Sequence, residues 1–367
     1  MSKKDSRRSS HIMKTPLILS LLFISNFGFA DWRQGAGSSG DFRSSQAAPT
    51  EWSVVRNENI AWKLTLPETG QSTPVVSAGK VFFTTIKEVE ADAKIARDIV
   101  AWCCDAETGK VLWKRDIPGK HFLRISGAFS DSSAPPAVSD GKRVAFVNAS
   151  GGIACFDLKG KPLWNRDSFS VGRSLPFLNA GNLIYTRQIY PPTAEGKFPH
   201  NYADEGLEMW TQLHALNMKT GDDVWVTTCG LNMGCAILPQ KLDDGRAVAL
   251  VGRGGGHGPP EKPEGVSLVD LSDGSTLWSL PLEGFMSTQS NRIRKNFVHV
   301  FHRGEHLSID ALSGKIESEV SLVEEIPVRR RSGDGWTATK QTFTKVGSRM
   351  LTQGSNLLVG KYHYFRN

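Results

Sequence analysis

The sequence predicts an all-β chain in which one four-stranded unit recurs about every fifty residues. Three observations predict it. An Asp–Gly–Trp hairpin recurs at near-constant spacing, a second hairpin pattern precedes most copies, and helical periodicity is weak outside a dozen residues near Glu88–Ile99, which read as an inserted loop.

The recurring hairpin begins as Asp105-Ala-Glu-Thr-Gly109-Lys-Val-Leu-Trp113 and returns as Asp157-Leu-Lys-Gly160-Lys-Pro-Leu-Trp164. It recurs as Asn217…Gly221…Trp225 and Asp270…Gly274…Trp278, and more weakly as Asp310…Gly314, where Ser318 stands in place of the ring. Trp62 reads as the tail of another copy, and the tryptophan steps are then 51, 51, 61 and 53 residues. Each copy places an apolar run, such as Gly152–Phe156, before the Asp. A turn follows in which Gly takes φ > 0 and the Asp side chain bonds its own backbone, and a short strand then carries the ring.

Upstream, residues 73–85, 136–147 and 175–185 each read as two alternating strands around a glycine turn. Two hairpins per period make four strands, which is the blade of a β-propeller. The expectation is a propeller of about six to eight blades. A blade is a small sheet that must bury both faces, and a large ring on its outer strand covers the gap to its neighbour. Trp62, Trp113, Trp164, Trp225 and Trp278 are therefore expected between blades, with Gly109, Gly160, Gly221, Gly274 and Gly314 in the turns. The last unit starts near Leu322, includes Met350–Gly360 and stops at Asn367 without an Asp–Gly–Trp hairpin. Either the Trp62 strand completes it and closes the ring, or a further unit lies beyond the C-terminus.

With 367 residues, 39% hydrophobic, the chain can bury a sizeable core, and 22% charged residues is an ordinary globular value. The formal charge of +7 misleads, because residues 1–30 carry +4 of it. That balance gives no case for nucleic acid. The run Arg329-Arg330-Arg331 reads as a solvated loop. Lys14, the apolar stretch Leu17–Ile24 and a small residue at Ala30 are the three parts of a secretory signal. The organisation expected is a signal peptide over 1–30, with 1–12 as an upstream extension if Met13 is the start, then one domain over 31–367. The apolar stretch is too short to span a bilayer comfortably, so no membrane span is expected in the mature chain. Export to the periplasm or beyond follows.

The repeated Asp-x-x-Thr-Gly-x-x-x-Trp pattern resembles the quinoprotein-like, or pyrroloquinoline-quinone repeat, β-propeller family across residues 31–367. The openings Asp31-Trp-Arg-Gln-Gly35 and Asn59-Ile-Ala-Trp62-Lys are similar to the start of secreted bacterial propellers of that kind. The resemblance implies two functional classes. Dehydrogenases of the superfamily bind pyrroloquinoline quinone with calcium on the propeller axis, commonly beneath a vicinal disulfide and beside acidic or amide ligands. Other members are scaffolds without cofactor. Cys103-Cys104 is a vicinal pair, but it lies in the strand leading into Asp105, where two neighbours face opposite sides. No Cys-x-x-Cys-His, Gly-x-Ser-x-Gly or His-Glu-x-x-His motif occurs, and no catalytic or metal-ligating residue is assigned.

The five cysteines are odd in number. Cys229 and Cys235 could bridge a tight turn, and Cys155 reads as a buried small hydrophobe. One loop stands out, Gly252–Gly265, whose Gly and Pro residues are expected to expose Arg253, His257, Glu261 and Glu264 to a ligand or partner. His200 lies in a comparable insertion that explains the 61-residue step. His121, Arg173, His299 and His302 read as structural or surface groups. The preferred function is a non-enzymatic binding or scaffold propeller whose partners are proteins or polysaccharide. The alternatives are a quinone-dependent dehydrogenase of alcohols or sugars, and a sugar-recognition module using Tyr190, Tyr202 and Trp210.

Overall fold

The computed structural model describes residues 31–44, 46–125, 131–170, 175–190, 194, 209–232, 234–235, 237–254, 262–285, 290–342 and 356–364. These residues hold strands, turns and no helix. The first sheet is a meander of β1 (Val75–Ser77), β2 (Lys80–Ile86), β4 (Ile99–Asp105) and β5 (Val111–Ile117). Between its strands, β3 (Ile95–Ala96) pairs with β6 (Leu123–Arg124), so the stretch expected as a loop near Glu88–Ile99 carries a small ribbon of its own. The second sheet is β7 (Val138–Ser139), β8 (Arg143–Asn148), β9 (Gly152–Asp157) and β10 (Pro162–Arg166). The third is β11 (Phe177–Asn179), β12 (Asn182–Gln188), β13 (Thr211–Asn217) and β14 (Asp223–Val226). The fourth is β15 (Pro239–Lys241), β16 (Ala247–Arg253), β17 (Gly265–Asp270) and β18 (Thr276–Pro281). The fifth is β19 (Arg292–Arg294), β20 (Phe297–His302), β21 (Glu305–Asp310) and β22 (Ile316–Ser321). Two hairpins follow, β23 (Ile326–Ser332) with β24 (Gly335–Gln341), and β25 (Leu357–Val359) with β26 (Tyr362–Tyr364). All pairings are antiparallel, and the five four-stranded meanders are propeller blades.

The apolar cores lie between sheets. Phe82 and Ile99 of the first sheet share one with Phe146 and Phe156 of the second. Val147 and Ile153 of the second meet Leu183 and Tyr185 of the third. Leu213 of the third meets Val251 of the fourth, and Leu250 of the fourth meets Val300 of the fifth. The central strands of the first four sheets are largely buried on both faces, which is why they read as nearly continuous apolar runs.

The tryptophans sit on the glycine turns of the next unit. A Cβ built on Gly109, Gly160, Gly221, Gly274 or Gly314 would lie 2.5–2.8 Å from the ring of Trp62, Trp113, Trp164, Trp225 or Trp278 respectively. All five glycines have φ between +71° and +84°. Two constraints therefore select glycine, the left-handed backbone and the absent side chain. The indole nitrogens of Trp62, Trp113, Trp164 and Trp278 donate to the carbonyls of Ala106, Leu158, Met218 and Ala311 at 2.8–3.3 Å. The Nε1 of Trp225 is buried without such an acceptor. The aspartates close the turns. Asp105 Oδ1 accepts from the backbone of Glu107 and Thr108 and from the Thr108 hydroxyl, bonds that hold its carboxyl below the ordinary carboxylate range.

Three sequence readings are corrected. Arg329–Arg331 lie within strand β23 of an exposed hairpin, paired with Ala338, Thr337 and Trp336, and not in a loop. Cys229 and Cys235 are not joined in a disulfide, and Cys235 Sγ instead accepts from the Gly252 amide at 3.1 Å. Trp62 lies outside the assigned strands and packs on the first sheet.

Candidate functional site

A propeller's natural site is its axis, and here the first strands of the sheets line it. β1 contacts β7, β7 contacts β11, and β15 contacts β19. The segment beginning at Asp31 runs over these strands in order. Trp32 forms a two-way bridge with Val76 of β1, with N···O distances of 2.7 and 2.9 Å. Ser139 of β7 donates its amide to the Arg33 carbonyl at 2.9 Å, and Leu178 of β11 donates to Gln34 Oε1 at 2.8 Å. A Cβ on Gly40 would lie 2.8 Å from Pro239 of β15, and Arg292 of β19 reaches the Asp41 carbonyl. One short segment thus touches the inner strand of all five four-stranded sheets.

The chemistry of that segment suits the path. Gln34 and Ala36 are each 4% exposed. A Cβ on Gly35 would fall 2.8 Å from Pro136 and 3.0 Å from Leu175, so only glycine allows the backbone this close. Gly37, at φ +82°, lies under the Trp32 ring. Gly37 N donates to Gln34 O, Gly40 N to Gly37 O and Phe42 N to Ala36 O, all at 2.8–2.9 Å, so the segment satisfies much of its own backbone. Sequence reasoning misses the role of Gly35, Gly37 and Gly40, although three glycines within six residues are a visible sign of close backbone approach.

The residues present do not fit a quinone and calcium on this axis. Backbone and buried side chains of residues 32–41 occupy the inner strands that would face such a group. Cys103 and Cys104 are both fully buried in β4, opposite Phe82 and Val81 of β2, well inside the first sheet. Burial pushes the Cys103 thiol up to about 12 and raises that of Cys104. Buried thiols of this kind are inert.

The Gly252–Gly265 segment divides. His257, Glu261 and the insertion residue His200 lie outside the described residues, as do Arg173 and Tyr202. Arg253 and Glu264 are not exposed as expected. Arg253 ends strand β16 and is 6% exposed. Glu264 accepts from Lys262 Nζ at 3.0 Å and from the Gly284 amide. Burial alone would raise its carboxyl, but Lys262, Gly284 and Arg303 outweigh it and lower the pKa. Both groups hold the fourth sheet together. Trp210, proposed as a sugar platform, is 3% exposed with Tyr190 packed on its edge, so its face is not free to stack. A shallow polar groove lies elsewhere, lined by Lys120, His121, Asp167, Phe169 and Arg187, with Lys120 and Asp167 paired at 3.1 Å.

Meandering four-stranded blades around a shared set of inner strands, with a ring of each unit set on the turn of the next, define a β-propeller of the tryptophan-docked repeat type. Residues 98–227 match the family model described as outer membrane protein assembly factor BamB. That match covers about a third of the chain and supports a pyrroloquinoline-quinone-like repeat β-propeller over those residues. No curated protein matches it. Among solved structures it is similar to BamB from Moraxella catarrhalis, at 15% identity and TM-score 0.44, covering 78% of this chain and 73% of that one. It is also similar to a quinohemoprotein alcohol dehydrogenase from Pseudomonas putida HK5, at 13% identity and TM-score 0.49, covering 80% of this chain and 48% of that one. A europium-containing methanol dehydrogenase aligns at 10% identity and TM-score 0.48, over 80% of this chain and 58% of that one. The chain thus spans about half the length of the two dehydrogenases.

Proposed function

We propose that the protein is an exported, non-enzymatic propeller that binds a protein partner through its rim and loops. The observation that carries this reading is the path of residues 32–41 along the inner strands. A propeller that oxidises an alcohol or a sugar needs that space for its cofactor and substrate. Here the space holds backbone bonded to β1 and β7 and glycines too close to their neighbours for a methyl group. The family description, an outer membrane protein assembly factor, points the same way. Export is supported by the Lys14–Ala30 segment. Among the described residues, no helix is long and apolar enough to cross a membrane.

The rim offers surface for a partner. Trp52 and Trp336 are 63% and 70% exposed, and aromatic residues of this kind anchor protein interfaces. The test uses the secreted chain with pyrroloquinoline quinone and calcium. The expected result is no saturable change in quinone absorbance and no dye-linked oxidation of alcohols or aldoses, together with a specific protein cross-linked to the rim in intact cells. Saturable quinone binding with turnover would favour the dehydrogenase. Retention on a glycan array without a protein partner would favour the sugar-recognition module.

A further inference from the structure

The fifth sheet breaks the repeat in an informative place. In each sheet a residue at or next to the start of the second strand lies opposite the repeat Asp or Asn: Lys80, Arg143, Asn182, Val248 and Phe297. Two residues on, the first four sheets carry Phe82, Ala145, Ile184 and Leu250. The fifth carries His299, opposite Ser308. The third-strand residue opposite the fifth position of that strand is Ala101, Ile153, Leu213 or Val266 in the first four sheets, and His306 in the fifth. Both substitutions fall on one face, because diagonal cross-strand neighbours share a side.

A third histidine meets them from another element. His363 lies in β26, opposite Leu358 of β25. In the first hairpins of the first, third and fifth sheets the matching residues are Val81, Leu183 and Val298. Three apolar repeat positions have thus become histidine, and all three side chains converge. One nitrogen from each of His299, His306 and His363 lies within 4.8 Å of the others.

We propose that His299, His306 and His363 form a binding site for a divalent transition ion of the zinc type, clamping the β25–β26 hairpin to the fifth sheet. The geometry favours coordination over ordinary core packing. His299 Nδ1 and His306 Nε2 are 3.2 Å apart. Two nitrogens each about 2.0–2.1 Å from a tetrahedral zinc lie roughly 3.3 Å from one another, the same separation. A hydrogen bond between those rings involves only two of the three, whereas a bound ion draws on one nitrogen from each. Three imidazoles with no thiolate suit zinc, copper, nickel or cobalt and not calcium or magnesium. Such a set leaves a fourth position for water or a partner's side chain. Phe301 packs on both His306 and His363 at 5.0–5.1 Å and walls the site. Burial also holds all three imidazoles below their ordinary pKa, so they are neutral and ready to ligate at pH 7.

The test is metal binding by the full mature chain after chelation, with Zn²⁺ alone and Co²⁺ alone as probes. One equivalent of Co²⁺ is expected to give the intense visible bands of a tetrahedral site, displaced by Zn²⁺. Zn²⁺ should slow amide exchange of residues 357–364. His299→Ala, His306→Gln or His363→Ala should each weaken binding by more than the ~10–100-fold that loss of a second-shell partner costs. His121→Gln, in the connection between β5 and β6, should leave it unchanged. Absence of stoichiometric Co²⁺ or Zn²⁺ binding by the wild-type chain overturns the proposal, as does binding that survives all three substitutions in folded protein.

Discussion

The contact between each tryptophan and the next turn's glycine can be tested as a coupled pair at Trp113 and Gly160. Trp113 is 8% exposed, and its ring centroid lies 5.8–6.1 Å from those of Phe82, Phe146 and Phe156. Trp113→Ala should cost about 3–5 kcal/mol, the usual loss for a large buried aromatic. Gly160→Ala carries two penalties. At φ +84° an L-residue is strained by about 1–2 kcal/mol, and a methyl 2.8 Å from the indole must overpack the site for about 1–3 kcal/mol more. The second penalty exists only while the ring is present. In the Trp113→Ala background, Gly160→Ala should therefore cost only its backbone strain. The double variant should then be about 1–3 kcal/mol more stable than the sum of the single effects predicts. Urea midpoints of the four proteins at constant slope give that coupling directly. If the cost of Gly160→Ala is the same in both backgrounds within about 0.5 kcal/mol, the two groups do not touch as described and the account of blade locking is wrong.

Other outcomes follow from the same structure. His214 is 4% exposed, and burial, with Arg187 next, depresses its pKa from 6.5 to about 4 against the opposing Asp223 carboxylate. The unfolded chain therefore takes up this proton first as the pH falls, so stability present above pH 6.5 is lost on the way down through 4. His214→Phe should flatten the urea midpoint over that window, and an unchanged profile would show that another group controls it. Gly35→Val should free the axial segment, raising amide exchange across residues 31–43 while the sheets keep theirs; equal protection would mean the segment tolerates a side chain there. Replacing residues 255–261 with a short glycine linker should move Tm by only a few degrees, roughly what loop closure costs. Glu264→Ala, which removes the acceptor of the solvent-accessible Gly284 amide, should cost about 0.5–1.5 kcal/mol. Equal and large losses in both would place 255–261 in the core. N-terminal sequencing of exported protein should begin at Asp31, and a start at Met1 or Met13 would remove the export reading.

The blades were legible because their signals are local. An Asp, a Gly and a Trp within nine residues fix a turn and a ring whatever lies elsewhere, and period-2 runs mark the strands around them. What the ring rests on was only half legible. The sequence placed the tryptophans between blades, but the glycine beneath each ring lies 36–57 residues away and only the register brings the two together. The candidate loop misled for a related reason. Gly and Pro around Arg253 and Glu264 signal irregular backbone, yet whether a charged side chain points to solvent depends on distant partners, such as the Gly284 amide that donates to Glu264. His299 and His306 are seven apart and meet only through the hairpin, and His363 comes from a separate hairpin. No pattern along the chain could have joined them.

The central claim is that residues 32–41 lie along the axis and exclude a cofactor there. Hydrogen exchange of this segment, with and without pyrroloquinoline quinone and calcium, tests it most directly. The account predicts that the amides of Trp32, Gly37, Gly40 and Phe42, each bonded to a carbonyl at 2.7–2.9 Å, exchange far more slowly than a free tail. Val76 and Ser139, which pair with the segment, should be protected with them, and quinone should change nothing. Exchange at the rate of an unstructured chain, or loss of protection when quinone and calcium are added, would contradict it.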